Sequence, residues 1–173
     1  MHTVINPTLA QKVLAVGFDS PIFPISVVQK MSGVTEDQVR TFVKRRHAPM
    51  RFTKPQGHGV RTLYAPQDVF EIMAISELSL LGVAPKSFGD LAEIISNLMI
   101  SQIRELAGVF GNTKTDIDYQ RYVVIFYDET KGKSHASLEV DPRDLKPDPP
   151  ARIVVDCRLL AIKAIQAFAN YAR

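Results

Sequence analysis

Ile25-Ser26-Val27-Val28-Gln29-Lys30-Met31-Ser32-Gly33-Val34-Thr35-Glu36-Asp37-Gln38-Val39-Arg40-Thr41-Phe42-Val43-Lys44-Arg45 carries two helix starts separated by one glycine. Ser26 with Gln29 and Thr35 with Gln38 both fit a capping box, in which a hydroxyl accepts from a backbone N–H three residues on and the glutamine reaches back. Val34 and Val39 stand where a hydrophobic staple would close the second start. Gly33 is free to adopt the left-handed conformation that ends the first helix and reverses the chain. Val28, Met31, Val34, Val39, Phe42 and Val43 can share a small core, which leaves the other face of the second helix open. The stretch therefore reads as helix, tight turn, helix.

Downstream, residues 50–53 and 60–64 alternate around the tip Lys54-Pro55-Gln56-Gly57-His58-Gly59, the pattern of a β-hairpin. Pro66 suits the first turn of a further helix with Asp68 near its positive end; Val69, Ile72, Met73, Ser76 and Leu80 keep the helical period and Gly82 closes it. Ser87 with Asp90 starts another helix, running to about residue 107 and apolar on more than one face. A helix wet on one side needs one apolar stripe, so the surplus points to a second copy of the chain, with Leu91, Ile95, Leu98, Met99, Ile103 and Leu106 as dimerisation residues. Upstream, residues 1–24 form an arm with a short helix at 8–16, ended by Gly17, and the stiff run Ser20-Pro21-Ile22-Phe23-Pro24.

Beyond a turn-rich link at 108–118 the pattern changes. Residues 122–127 and 135–140 read as paired strands, and residues 141–150, with four prolines, as a loop. Ile153-Val154-Val155 is either a third strand leading to Asp156 as a helix cap or the first turn of a helix begun at Pro149 and Pro150, and the β-branched run favours the strand. A final helix over 158–172 offers Leu159, Leu160, Ile162, Ile165, Phe168 and Ala169 for burial. The expected fold is mainly α with small β: arm 1–24, winged helix-turn-helix 25–86, dimerisation helix 87–110, and a C-terminal α+β domain 119–173 made of a hairpin, a third strand and the terminal helix.

The chain has 173 residues, 46% of them apolar, enough for a core in one domain or two small ones. A single cysteine, Cys157, excludes an internal disulfide and a Cys-cluster metal site; it reads as a small core residue, and a reducing cytoplasm suits it. No run approaches the roughly 18 apolar residues of a membrane span. Nor does residues 1–10 pair a basic start with an apolar run, so neither export nor anchoring is expected. The net charge of +3 hides a dipolar chain. Residues 1–64 carry nine Lys plus Arg against three Asp plus Glu; residues 65–118 carry three against eight; residues 119–173 carry nine against seven. A basic first third before an acidic middle fits a polyanion-binding head followed by a segment that does not bind one.

The order helix, turn, helix, hairpin, helix, helix resembles the DNA-binding domain of the MerR family of transcriptional regulators over about residues 25–98. Its carriers are Ile25 to Thr35, Val39-Arg40-Thr41-Phe42, Leu63-Tyr64-Ala65-Pro66-Gln67-Asp68-Val69 and Leu80-Leu81-Gly82-Val83. The resemblance implies a dimeric regulator that distorts promoter DNA for RNA polymerase, and simple occlusion of a promoter is equally open. Thr41 and Phe42 stand where the family usually has two aromatic residues, and Thr62-Leu63 stands where it has an Arg pair. Nothing matches the family's metal-sensing cysteines, so no metal or other cofactor is expected.

Physics leads to the same function without the family. A helix fits the major groove, where Arg reads guanine and Gln adenine. The second helix offers Thr35, Gln38, Arg40, Thr41, Lys44 and Arg45, and the hairpin adds Arg51, Lys54, Gln56, His58 and Arg61 for phosphates or the minor groove; Tyr64 at its base reads as an anchor of the wing to the helices, with a hydroxyl contact to phosphate as the alternative. Glu36 and Asp37 sit in the first turn, where the helix dipole favours acids, and Glu36 has the alternative of accepting from a cytosine amino group. His58, His135, Asp141 and Asp144 form no catalytic or metal constellation, so an enzyme is not expected. The expected partner is duplex DNA, with a second copy of the chain and RNA polymerase or another protein beside it. Two other readings stay open: an excisionase-like architectural factor that bends DNA, and a protein-interaction module on a winged fold.

Overall fold

The computed structural model describes residues 7–45, 47–48, 50–53, 62–108, 121–128, 133–139 and 152–171. Its elements, in order, are α1 (Pro7–Val16), β1 (Phe23–Pro24), α2 (Ile25–Ser32), α3 (Glu36–Lys44), β2 (Leu63–Tyr64), α4 (Pro66–Leu80), a 3-10 turn (Pro85–Ser87), α5 (Phe88–Leu106), β3 (Tyr122–Asp128), β4 (Lys133–Glu139), β5 (Arg152–Asp156) and α6 (Cys157–Tyr171). The fold is mainly helical with two small antiparallel sheets.

Gly33 takes φ 72°, and its N–H donates to the Gln29 carbonyl at 2.9 Å, which ends α2 and turns the chain as the sequence predicts. The capping box expected at Ser26 does not form. The helix begins two residues earlier, at Ile25, after Pro24 with extended backbone and no side-chain cap. The cause is tertiary: Pro24 belongs to β1, which pairs with β2 so that Phe23 opposes Tyr64 and Pro24 opposes Leu63. The chain passes straight from that pairing into the helix.

The same pairing corrects the hairpin. Residues 51–52 form a bend and 50–53 no strand, Met50 has φ 48°, and the described partner of Leu63–Tyr64 is the N-terminal arm. Residues 54–61, the expected tip with the first two residues of its second strand, lie outside the described residues. Thr53 joins what the ladder does not: its hydroxyl donates to Asp68 of α4, and the Ala65 N–H donates to Thr53 Oγ1 at 3.4 Å.

From Asp68 to Ile75 α4 is buried on every side, with Val69, Phe70, Ile72, Met73, Ala74 and Ile75 supplying the apolar surface, and Leu78 continues it. Pro66 occupies its first turn as expected. α5 packs against α4, α6 and α1. Leu91, Ile95, Leu98, Met99 and Ile103 are each at most 3% exposed, and Leu106 packs partly buried on the same cluster. The six expected dimerisation residues thus lie inside one chain: α1 and α6 supply the second apolar surface that the sequence assigned to another copy. At about 1.5–3 kcal/mol for each fully buried large aliphatic or aromatic side chain, this packing dominates the stability of the helical layer.

The C-terminal sheet has the order β4-β3-β5, with Val123 opposite Leu138 on one side and Val155 on the other. Residues 153–155 are therefore strand. Asp156 then caps α6, accepting from the Leu159 N–H at 3.0 Å. Burial raises its carboxyl, but hydrogen bonds from Arg121 (3.0 and 2.6 Å) and the backbone outweigh that and hold it below the ordinary range. One apolar cluster runs from Ala10 and Val13 of α1 to Ile165 and Phe168 of α6, and Phe168 meets Phe23 edge-on at 5.3 Å. Arg158 of α6 also pairs with Glu105 of α5 at 3.0 Å. Two smaller expectations fail as well, since Leu159 and Val43 are 48% and 37% exposed rather than buried.

Candidate nucleic-acid interface

α3 is the element on which the site rests. Thr35 accepts from the Gln38 N–H at 3.3 Å, and the Gln38 side chain accepts from the Thr35 N–H at 2.7 Å, so the expected capping box is complete. Val39 is fully buried and Phe42 half-buried; Val34, at the staple position, is buried too. Val39 and Phe42 anchor the helix while Asp37, Gln38, Arg40, Thr41, Lys44 and Arg45 stay exposed. Charge runs along it with the helix dipole, acids in the first turn and bases at the last.

The exposed side chains are not all free. Arg40 donates through Nε and Nη2 to a single carboxylate oxygen, Oε1 of Glu36, at 3.1 and 2.6 Å. That hydrogen bond, followed by the charge of Glu36, raises the pKa of Arg40 further. The Thr41 hydroxyl donates to the Asp37 carbonyl at 2.7 Å, leaving its oxygen as an acceptor. Lys44 lies one turn beyond Arg40, and Arg45 forms the C-cap with its N–H on the Thr41 carbonyl at 2.9 Å. The structure thus brings Arg40, Thr41, Lys44 and Arg45 together on one exposed surface, flanked by Thr35 and Gln38, whose side chains serve the cap.

Two predicted contact residues are placed elsewhere. Arg51 makes a bidentate pair with Glu93 of α5, which raises the arginine and lowers the glutamate. Tyr64 is 7% exposed and belongs to the core, which agrees with its reading as an anchor and not with the phosphate alternative; burial, then the nearby Glu36 charge, raises its phenol. Sequence reading could not give Arg51 its partner, which lies 42 residues away. Lys54, Gln56, His58 and Arg61 fall outside the described residues.

Apart from this surface, α4 holds a cluster the sequence reading missed. Asp68 is fully buried and takes the Thr53 hydroxyl and, at 3.5 Å, the Phe52 N–H. One turn on, Glu71 is fully buried too, and neither carboxylate oxygen has a hydrogen-bond donor among the described residues. Burial, aided by the charge of Asp68 and opposed by Arg51, pushes its carboxyl up to about 7. Two acids one turn apart, Asp68 and Glu71, set around Val69-Phe70 and before the apolar run Ile72 to Ile75, were the available signal.

Among the described residues no group of three or more His, Cys, Asp or Glu is arranged to hold a metal ion, and no helix is long and apolar enough to cross a membrane. Compared with protein-family models and with curated proteins, the chain matches none.

Proposed function

We propose that the chain is a cytoplasmic, MerR-like regulator of transcription that binds duplex DNA through a winged helix-turn-helix, with α3 in the major groove. One observation carries this reading: α3 is held to the body by Val39 and Phe42 and leaves Arg40, Thr41, Lys44 and Arg45 exposed across its last two turns. A helix so presented has the width and the donors that the major groove accepts. The basic first third of the chain supports it, with nine Lys plus Arg against three acids over residues 1–64. Binding as a homodimer remains part of the proposal, through a surface other than the apolar residues of α5. Selection from a random duplex pool tests it. A palindromic consensus with spaced halves supports a dimeric regulator, bending without a consensus supports an architectural factor, and no enrichment overturns both.

A second reading has its own observation. Glu36 and Asp37 lead the exposed face, and Arg40 already holds an acid, so the surface is less cationic than its arginines alone imply. A module that docks a protein on α3 would show no salt-sensitive affinity for duplex DNA.

A further inference from the structure

Resting on the duplex-DNA reading, the geometry points to a division of labour on α3: we infer that Glu36 is a positioning residue that fixes Arg40 to read one guanine, while Lys44 and Arg45 serve phosphates. A guanidinium carries five N–H donors in a planar fork. In Arg40 one side of that fork, Nε and one N–H of Nη2, is committed to Glu36 Oε1. The distal edge, Nη1 with the remaining N–H of Nη2, is the pair of parallel donors that matches O6 and N7 of guanine. The side chain is 72% exposed, so that edge is open to a ligand.

The pair has the favoured helical order, with the acid four residues before the base. As an exposed ion pair it adds little stability. Its consequence is directional, because it narrows the rotamers of a long side chain and neutralises its charge. A neutralised arginine gains little from a phosphate, and the adjacent carboxylate repels one, so the pair suits a base edge better than the backbone. Lys44 and Arg45 are different: both are exposed, and neither holds an ion pair among the described residues. Unneutralised cations of that kind attract phosphates whatever the sequence.

The test is selection from a random duplex pool with the full chain, followed by affinity measurements on the enriched duplex and its single-base variants. The variants are Arg40→Lys, Arg40→Ala, Glu36→Gln, Glu36→Ala, and Lys44→Ala with Arg45→Ala. Wild type is expected to prefer a G·C pair at one position by about tenfold or more, both Arg40 variants to lose that preference alone, and Glu36→Ala to weaken it several-fold while non-specific affinity holds or rises. The Lys44/Arg45 double variant should lose affinity for every duplex equally and keep the base preference. A role for Glu36 in the helix cap alone would lower the melting temperature and scale all duplexes together; thermal unfolding of each variant separates the two. The inference is overturned if Glu36→Ala leaves the Arg40-dependent preference intact. It is also overturned if Glu36 variants lose a preference that Arg40→Ala retains, which would make Glu36 itself the reader. A wild-type chain that enriches no duplex instead removes the DNA reading on which the inference stands.

Discussion

Replacing Glu71 by Gln should stabilise the protein at pH 8 and change the slope of its stability with pH. Glu71 is fully buried, faces Asp68 on its own helix, and has Arg51 and Glu93 as its other charged neighbours. Its carboxyl stands at about 7 in the folded chain against an ordinary 4.5. The folded state therefore holds a proton more tightly than the unfolded one. This group's stabilising contribution is complete below about pH 4.5 and is lost as pH rises to about 7. At about 1.4 kcal/mol per pKa unit the loss is about 3 kcal/mol, and screening through the exposed Arg51 and Glu93 reduces it to about 2 kcal/mol. For a chain of this size that corresponds to a melting-temperature difference of about 4–8 °C. Urea unfolding followed by circular dichroism at pH 5, 6, 7 and 8 measures it. The difference between wild type and Glu71→Gln isolates the group together with its coupling to Glu93, because the lowered carboxyl of Asp156 contributes equally to both chains. The variant should gain on wild type by about 2 kcal/mol from pH 5 to pH 8. A difference that stays flat across that range, or a variant that loses ground as pH rises, would show that Glu71 is ionised and compensated in the folded state.

Ile95→Ala and Leu98→Ala should each destabilise the chain by about 2–5 kcal/mol while leaving its sedimentation coefficient unchanged, because both side chains are buried within one copy. A variant that dissociates an oligomer without losing monomer stability contradicts that placement. Thr35→Ala removes the hydroxyl of the capping box and should cost about 1 kcal/mol in denaturant unfolding; no change would mean that the cap is not formed in solution. Cys157 is fully buried and burial pushes its thiol up to about 12, so a thiol reagent at pH 8 should label it only as the chain unfolds. Rapid labelling of the native protein would contradict its burial.

The features legible in the sequence were those whose physics is local. Thr35 with Gln38, Gly33 as a turn, Pro66 in a first turn and the β-branched run at 153–155 each depend on a few neighbouring residues, and each stands as expected. Ser26 with Gln29 has the same spelling as Thr35 with Gln38 but makes no cap, because the start of α2 is set by the pairing of Pro24 with Leu63, far along the chain. The surplus apolar residues of α5 raised the right question, since something must cover them. Periodicity cannot say whether the cover is α6 of the same chain or a second copy. The same limit holds for charge: Arg40 and Arg51 look alike in the sequence, yet one pairs within its own helix and the other with Glu93 on α5. Glu71 reads as one more surface acid until the fold shows it enclosed.

The salt dependence of duplex binding, measured by fluorescence anisotropy on wild type and on the Arg40→Ala, Lys44→Ala, Arg45→Ala variant, tests the DNA proposal most directly. Wild-type affinity should fall with salt at a log–log slope of about −0.9 per phosphate contact, and the variant should bind more weakly with a slope shallower by about 2 for each bound subunit. A wild-type chain whose affinity for duplex DNA is absent or insensitive to salt, or a triple variant that binds as tightly as wild type, would contradict the assignment of α3 to DNA.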